Sequence, residues 1–141
     1  MNPYVSETSL RVRYQETDQM RIVYHTNYLV WFEVGRTDYI RHFGYTYSQL
    51  EEMGLWLPVI DLSCRYLSPA RYEDDVTIFT KILEHRGTKL VFAYEAKHQT
   101  DGRLLAKGST THFWTNSKMK RVNLLREYPE IYHRLNEVSV N

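Results

Sequence analysis

A chain of 141 residues, 43% hydrophobic and 25% charged, has the make-up of an ordinary globular domain, and residues 1–141 leave no room for a second of usual size. Eighteen Lys and Arg against seventeen Asp and Glu leave +1, so no overall field draws in nucleic acid or an acidic membrane. Six Gly and four Pro exclude long linkers and collagen-like stretches, and Cys64, as the one cysteine, excludes an intrachain disulfide and fits a reducing compartment. The opening MNPYVSETSL lacks the apolar centre of a secretory signal, and no apolar run exceeds five residues. A spanning helix needs about 20, so a cytoplasmic protein with no membrane span is expected.

Leu10, Val12 and Tyr14 alternate with Arg11 and Arg13, which predicts a strand with the apolar three on its covered face. Tyr28, Phe32, Gly35, Tyr39 and Phe43 then draw one stripe along a helix. Asn27 is its expected N-cap and Gly44 its terminator. Ser48 with Glu51 has the spacing of a capping box for a short second helix that Gly54 stops. The rest reads as strand. Trp56 to Leu67 alternates, Ser68-Pro69-Ala70 breaks it, and Val76, Ile78, Thr80 and Ile82 begin a strand running to a turn at Arg86-Gly87-Thr88. Leu90, Phe92, Tyr94 and Ala96 share a face, Asp101-Gly102 supplies a hairpin turn, and Leu105 to Thr115 is the last long strand. A closing helix starts near Pro129 and uses Ile131 and Leu135. One apolar helix needs a sheet to bury it, and hairpin-linked strands pair antiparallel. The expected fold is α+β, an antiparallel sheet of about five strands wrapped around one long helix.

The segment Tyr14 to Tyr28 joins the first strand to the start of that helix. N–H groups at a helix start lack intrahelical partners and can bind an oxygen that becomes anionic during a reaction. Asp18 lies seven residues before His25, near enough for a loop to bring a base or nucleophile beside those donors. The same residues also suit a turn and the finish of a helix, so spacing leaves both readings open.

Three motifs carry a resemblance. They are Tyr14-x-x-Thr17-Asp18, then Val23-Tyr24-His25-x-Asn27-Tyr28, then Phe32-Glu33-x-x-Arg36. With Tyr66-x-x-Pro69-Ala70-Arg71, Asp74-Asp75 and Arg86-Gly87-Thr88, they resemble the 4-hydroxybenzoyl-CoA thioesterase family of hotdog-fold enzymes, in its YbgC-like acyl-CoA thioesterase branch. The likeness spans roughly residues 9 to 122. It implies an acyl-CoA thioesterase releasing a free acid and CoA, with Asp18 as nucleophile or general base. It also implies the His25 backbone N–H as the group polarising the thioester carbonyl, and Tyr24 lining the pocket. CoA contacts would come from the Arg86, Thr88 and Lys89 turn, and the sites would lie between subunits of a homo-oligomer, dimer or tetramer. Acyl carrier protein could replace CoA as the acyl donor. The family usually has Gly where this chain has Arg21, which points to a positive-φ backbone or a close approach to substrate. Arg21 would strain the loop, narrow the pocket or offer a cation to an acidic acyl group.

No metal and no cofactor are expected, since the six His show no ligand spacing and no Gly-rich phosphate loop or Gly-x-Ser-x-Gly elbow occurs. The alternatives to a hydrolase are a hotdog-fold acyl-thioester lyase and a non-catalytic acyl-binding or partner-recruiting module.

Overall fold

The apolar stripe forms α1, Asn27–His42, in the computed structural model, which describes residues 4–137. Thr26 takes the N-cap, one residue before the expected Asn27. Gly44, at φ +90°, ends the helix in the left-handed conformation that a side chain resists. Tyr28, Trp31, Phe32, Gly35, Tyr39 and Ile40 are buried. Gly35 lets helix and sheet approach closely, since a Cβ there would lie 2.5 Å from Thr80 Oγ1.

The sheet that covers α1 has five antiparallel strands: β1 (Ser6–Arg11), β2 (Val59–Tyr66), β3 (Asp75–Arg86), β4 (Lys89–His98) and β5 (Leu104–Phe113), in the order β1-β3-β4-β5-β2. Val76, Ile78, Thr80 and Ile82 of β3, with Leu90, Phe92, Tyr94 and Ala96 of β4, are buried as their alternation predicts. Phe32 stacks on Tyr94 at 4.5 Å between ring centres. Three polar side chains of this inner face form a chain, while the buried Thr80 hydroxyl has no hydrogen-bond partner among the described residues. Tyr94 Oη lies 2.6 Å from Thr110 Oγ1, Thr110 Oγ1 lies 2.8 Å from His112 Nε2, and His112 Nδ1 lies 3.2 Å from the Leu57 carbonyl.

Strands β3, β4 and β5 follow one another through hairpins, but β2 does not join its sequence neighbour β3. It pairs with β5 on the far edge, from Val59 opposite His112 to Tyr66 opposite Ala106. Residues 67–74 then cross the end of the sheet, with the Leu67 and Ser68 N–H groups both donating to the Leu105 carbonyl and the Asp74 carbonyl accepting from Val12. As an edge, β2 keeps Val59, Ile60, Leu62 and Tyr66 exposed.

Three local expectations are corrected. The first strand ends at Arg11, because the chain turns into a single 3-10 turn over Tyr14–Glu16, which leaves Tyr14 73% exposed rather than covered. The second helix, α2 (Tyr47–Glu52), is capped by Thr46 with Gln49, not by Ser48 with Glu51. One turn, α3 (Leu124–Glu127), precedes the expected closing helix α4 (Pro129–Asn136), whose Ile131 and Leu135 are buried.

Candidate active site

The segment between β1 and α1 folds on itself as a small hairpin. The Tyr24 N–H donates to the Glu16 carbonyl, Thr17 bridges Val23, and the Asp18 N–H donates to the Ile22 carbonyl. The turn closes when the Arg21 N–H donates to the Asp18 carbonyl at 2.9 Å. Arg21 sits at φ +66°. That is the backbone the family's glycine implied, and a side chain there costs about 1 kcal/mol. Two ties fix the hairpin, one to the connection that crosses the sheet and one to α1. The Val23 N–H donates to the Ala70 carbonyl of the crossing connection, and the Asn27 side chain donates to the Glu16 carbonyl.

Glu16 is the anchor, and it escaped the sequence reading. Its carboxylate is buried, accepting the Arg13 N–H at 2.8 Å on one oxygen and the Trp31 indole N–H at 2.8 Å on the other. The Arg13 guanidinium, 3.6 Å away, balances the charge. A buried carboxylate is tolerated only with such partners. The available signal was Glu16 lying fifteen residues before a Trp on the buried stripe, which no local pattern connects.

Asp18 sits at the tip. One oxygen accepts the Met20 N–H at 2.8 Å, and the other has no protein partner among the described residues. The carboxylate lines an open cavity of about 830 Å³ with Tyr14, Gln15, Thr17, Gln19, Arg21 and Tyr72. Tyr14 and Tyr72 meet edge to face, 5.8 Å between centres, and both are largely exposed. Tyr72 was also missed, its role depending on the connection that crosses the sheet.

The other arm of the hairpin leads into α1. The Asn27 and Leu29 N–H groups turn inward to the Tyr24 and Thr26 carbonyls, whereas the His25 and Thr26 N–H groups donate to no protein acceptor among the described residues. The His25 carbonyl accepts the Tyr66 hydroxyl at 2.8 Å, which brings the helix start to the end of edge strand β2. The Tyr24 ring is exposed and lies 4.5 Å from the His25 ring. Asp18 and His25 are therefore on one hairpin, the first at its tip and the second on the arm that leads into α1. The His25 and Thr26 N–H groups, at a helix start, are able to stabilise negative charge forming on a bound oxygen.

The Arg86, Thr88 and Lys89 turn is elsewhere. It caps the end of β3 and β4 opposite to Asp74 and Asp75, so the length of β3, twelve residues, puts it about 35 Å from the hairpin in the same chain. Glu84 pairs with both cations, 3.1 Å from Arg86 Nε and 3.4 Å from Lys89 Nζ. The Thr88 carbonyl is taken by the Trp114 N–H. No cluster of three or more His, Cys, Asp or Glu with metal-holding geometry occurs among the described residues, and none of their helices is long and apolar enough to cross a membrane.

Comparison with known proteins extends these observations. A family model described as the thioesterase-like superfamily matches residues 12–135. YneP of Bacillus subtilis (strain 168) is 38% identical over 128 residues, covering 90% of this chain and 92% of that protein. The acyl-CoA thioesterase YbgC of Haemophilus influenzae is 31% identical over 128 residues, covering 89% and 93%. Among solved structures, a DHNA-CoA thioesterase from Staphylococcus aureus superposes with a TM-score of 0.89 at 33% identity, over 95% of this chain and 90% of that one. A five-stranded antiparallel sheet around one long helix, shared with these thioesterases, is the hotdog fold.

Proposed function

The chain belongs to the thioesterase-like superfamily, and we propose that it hydrolyses acyl-CoA thioesters to free acid and CoA, with Asp18 as the group that opens the thioester. The observation that carries this reading is the carboxylate held in a cavity at the tip of a hairpin, one oxygen tied to the Met20 N–H and the other free, with the other arm of that hairpin running into the start of α1. Asp18 either attacks the carbonyl carbon, forming a mixed anhydride that water then opens, or takes a proton from the water that attacks. In both routes negative charge gathers on the carbonyl oxygen, and the free His25 N–H at the positive end of α1 receives it. The CoA thiolate leaves and takes up a proton. Tyr24 lines the approach.

The separation of Asp18 from the Arg86, Thr88 and Lys89 turn supports a site shared between two copies. Edge strand β2 offers a row of unpaired backbone groups and exposed Val59, Ile60 and Leu62, the features of a strand awaiting a partner. Pairing β2 antiparallel with β2 of a second copy about a two-fold axis reverses the second sheet. The far turn of that copy then lies beside the first copy's hairpin, about 15 Å across the intervening strands. Arg86 and Lys89 would meet CoA phosphates there, released from Glu84 as the anion binds. Acyl carrier protein presents the same pantetheine thioester and would enter by the same route. The enzyme is cytoplasmic in this reading, where Cys64 stays reduced.

The test is thiol release from a panel of short, long and aromatic acyl-CoAs by wild type, Asp18→Asn and Asp18→Ala. Both variants should fold normally and lose about 10²–10⁴-fold in turnover. Turnover near wild type in both removes Asp18 from the reaction. A changed acyl chain without thiol release identifies a lyase, and binding without either identifies a non-catalytic module.

A further inference from the structure

Arg21 shares the Asp18 cavity, occupies a strained backbone position, and has no carboxylate partner among the described residues. We infer that Arg21 selects acyl groups that carry their own negative charge, a carboxylate or similar oxyanion borne on the acyl chain. This rests on Asp18 being the site of thioester opening.

The argument starts from the charges in the cavity. Asp18 and Arg21 are its ionised groups, and the other lining residues, Tyr14, Gln15, Thr17, Gln19 and Tyr72, are neutral. Without Arg21, an acyl group bearing a carboxylate would meet Asp18 alone and be repelled. With it, the repulsion is offset by a guanidinium whose planar fork fits a carboxylate. The two residues close one turn and line one cavity, so the cation and the carboxylate face the same bound acyl group. The neutral lining adds hydroxyl and amide groups that hydrogen-bond a charged or phenolic acyl group while two tyrosine rings flank it. Glycine would satisfy the φ of +66° without strain, so the arginine is held there at a cost. Phosphates of CoA also carry oxyanions. The whole pantetheine arm, however, lies between them and the thioester, beyond the reach of a side chain in the Asp18 turn.

The experiment compares succinyl-CoA with butyryl-CoA, which differ in a terminal carboxylate against a methyl group. It uses wild type, Arg21→Met, which keeps the strain and removes the charge, and Arg21→Gly, which removes both. Expected is a loss of about tenfold in kcat/KM on succinyl-CoA in both variants. Butyryl-CoA should change less than twofold, and the melting temperature of Arg21→Gly should be no lower than wild type. Equal losses on both substrates would assign Arg21 to CoA phosphates or to loop structure, and no loss on either would leave it no role, each overturning the inference. Affinities for the matching non-hydrolysable thioethers are read by calorimetry. They should show the same tenfold split even if no thioester is hydrolysed, so failure of the Asp18 reading and failure of this one are told apart.

Discussion

Glu16 and Asp18, two residues apart on one hairpin, are held in opposite ways. Glu16 is buried and fully partnered, while Asp18 keeps an oxygen free. Rigid support for a reactive group is what allows it to act without reorganising. Glu16→Gln replaces one acceptor oxygen with an NH₂ that faces a donor, the Arg13 N–H or the Trp31 indole. It should cost about 2 kcal/mol of stability in urea unfolding and lower thiol release by displacing Asp18. Trp31→Phe keeps an aromatic side chain but removes the donor and some buried volume, so it should reproduce part of both effects. A variant as stable as wild type would show that the hairpin is held by its backbone bonds alone. The loop that carries Asp18 stood out in the sequence because its motif is local. Glu16 did not, because its meaning comes from Trp31, one turn into a helix that packs back over it.

At the level of elements, the buried stripe of α1, the hairpin turns at Gly87 and Gly102 and the inner faces of β3 and β4 were legible, since each follows from a short-range period or a turn residue. The pairing of β2 with β5 was not. Alternation specifies that a segment is a strand but not which neighbour it chooses, and consecutive strands usually pair. The consequence reaches the candidate site, because this choice leaves β2 as a long edge and puts Tyr66 against His25. Leu62→Lys adds a charge to the exposed face of that edge. If β2 forms the contact between copies, the variant should sediment as a monomer and lose most thiol release while its circular dichroism stays unchanged. A variant that remains dimeric and active places the contact elsewhere.

Across the whole molecule, stability should depend on pH through two buried histidines. His85 lies against the Tyr132 ring of α4, and burial lowers its pKa to about 4. His112 is lowered to about 4 by burial first and by the Arg36 charge second. Both are neutral in the folded chain near pH 6, where the unfolded chain begins to bind their protons. The stability they protect is therefore present above about 6.5 and is lost as pH falls from there towards 4, by roughly 3 kcal/mol per histidine at most. Urea unfolding measured between these limits should show that decline, and His85→Phe should remove about half of its slope. A flat profile in wild type would mean that the two imidazoles are solvated in the folded state.

The far-edge pairing of β2 also bears on how the chain is made. Residues 59–66 leave the ribosome well before 104–113, the strand they pair with among the described residues, so a half-apolar ribbon waits unpaired while the β3–β4 hairpin forms without it. Sheet closure is thereby one of the last and slowest events, and the waiting ribbon is the segment that a chaperone should cover and that should seed aggregates when synthesis outpaces folding.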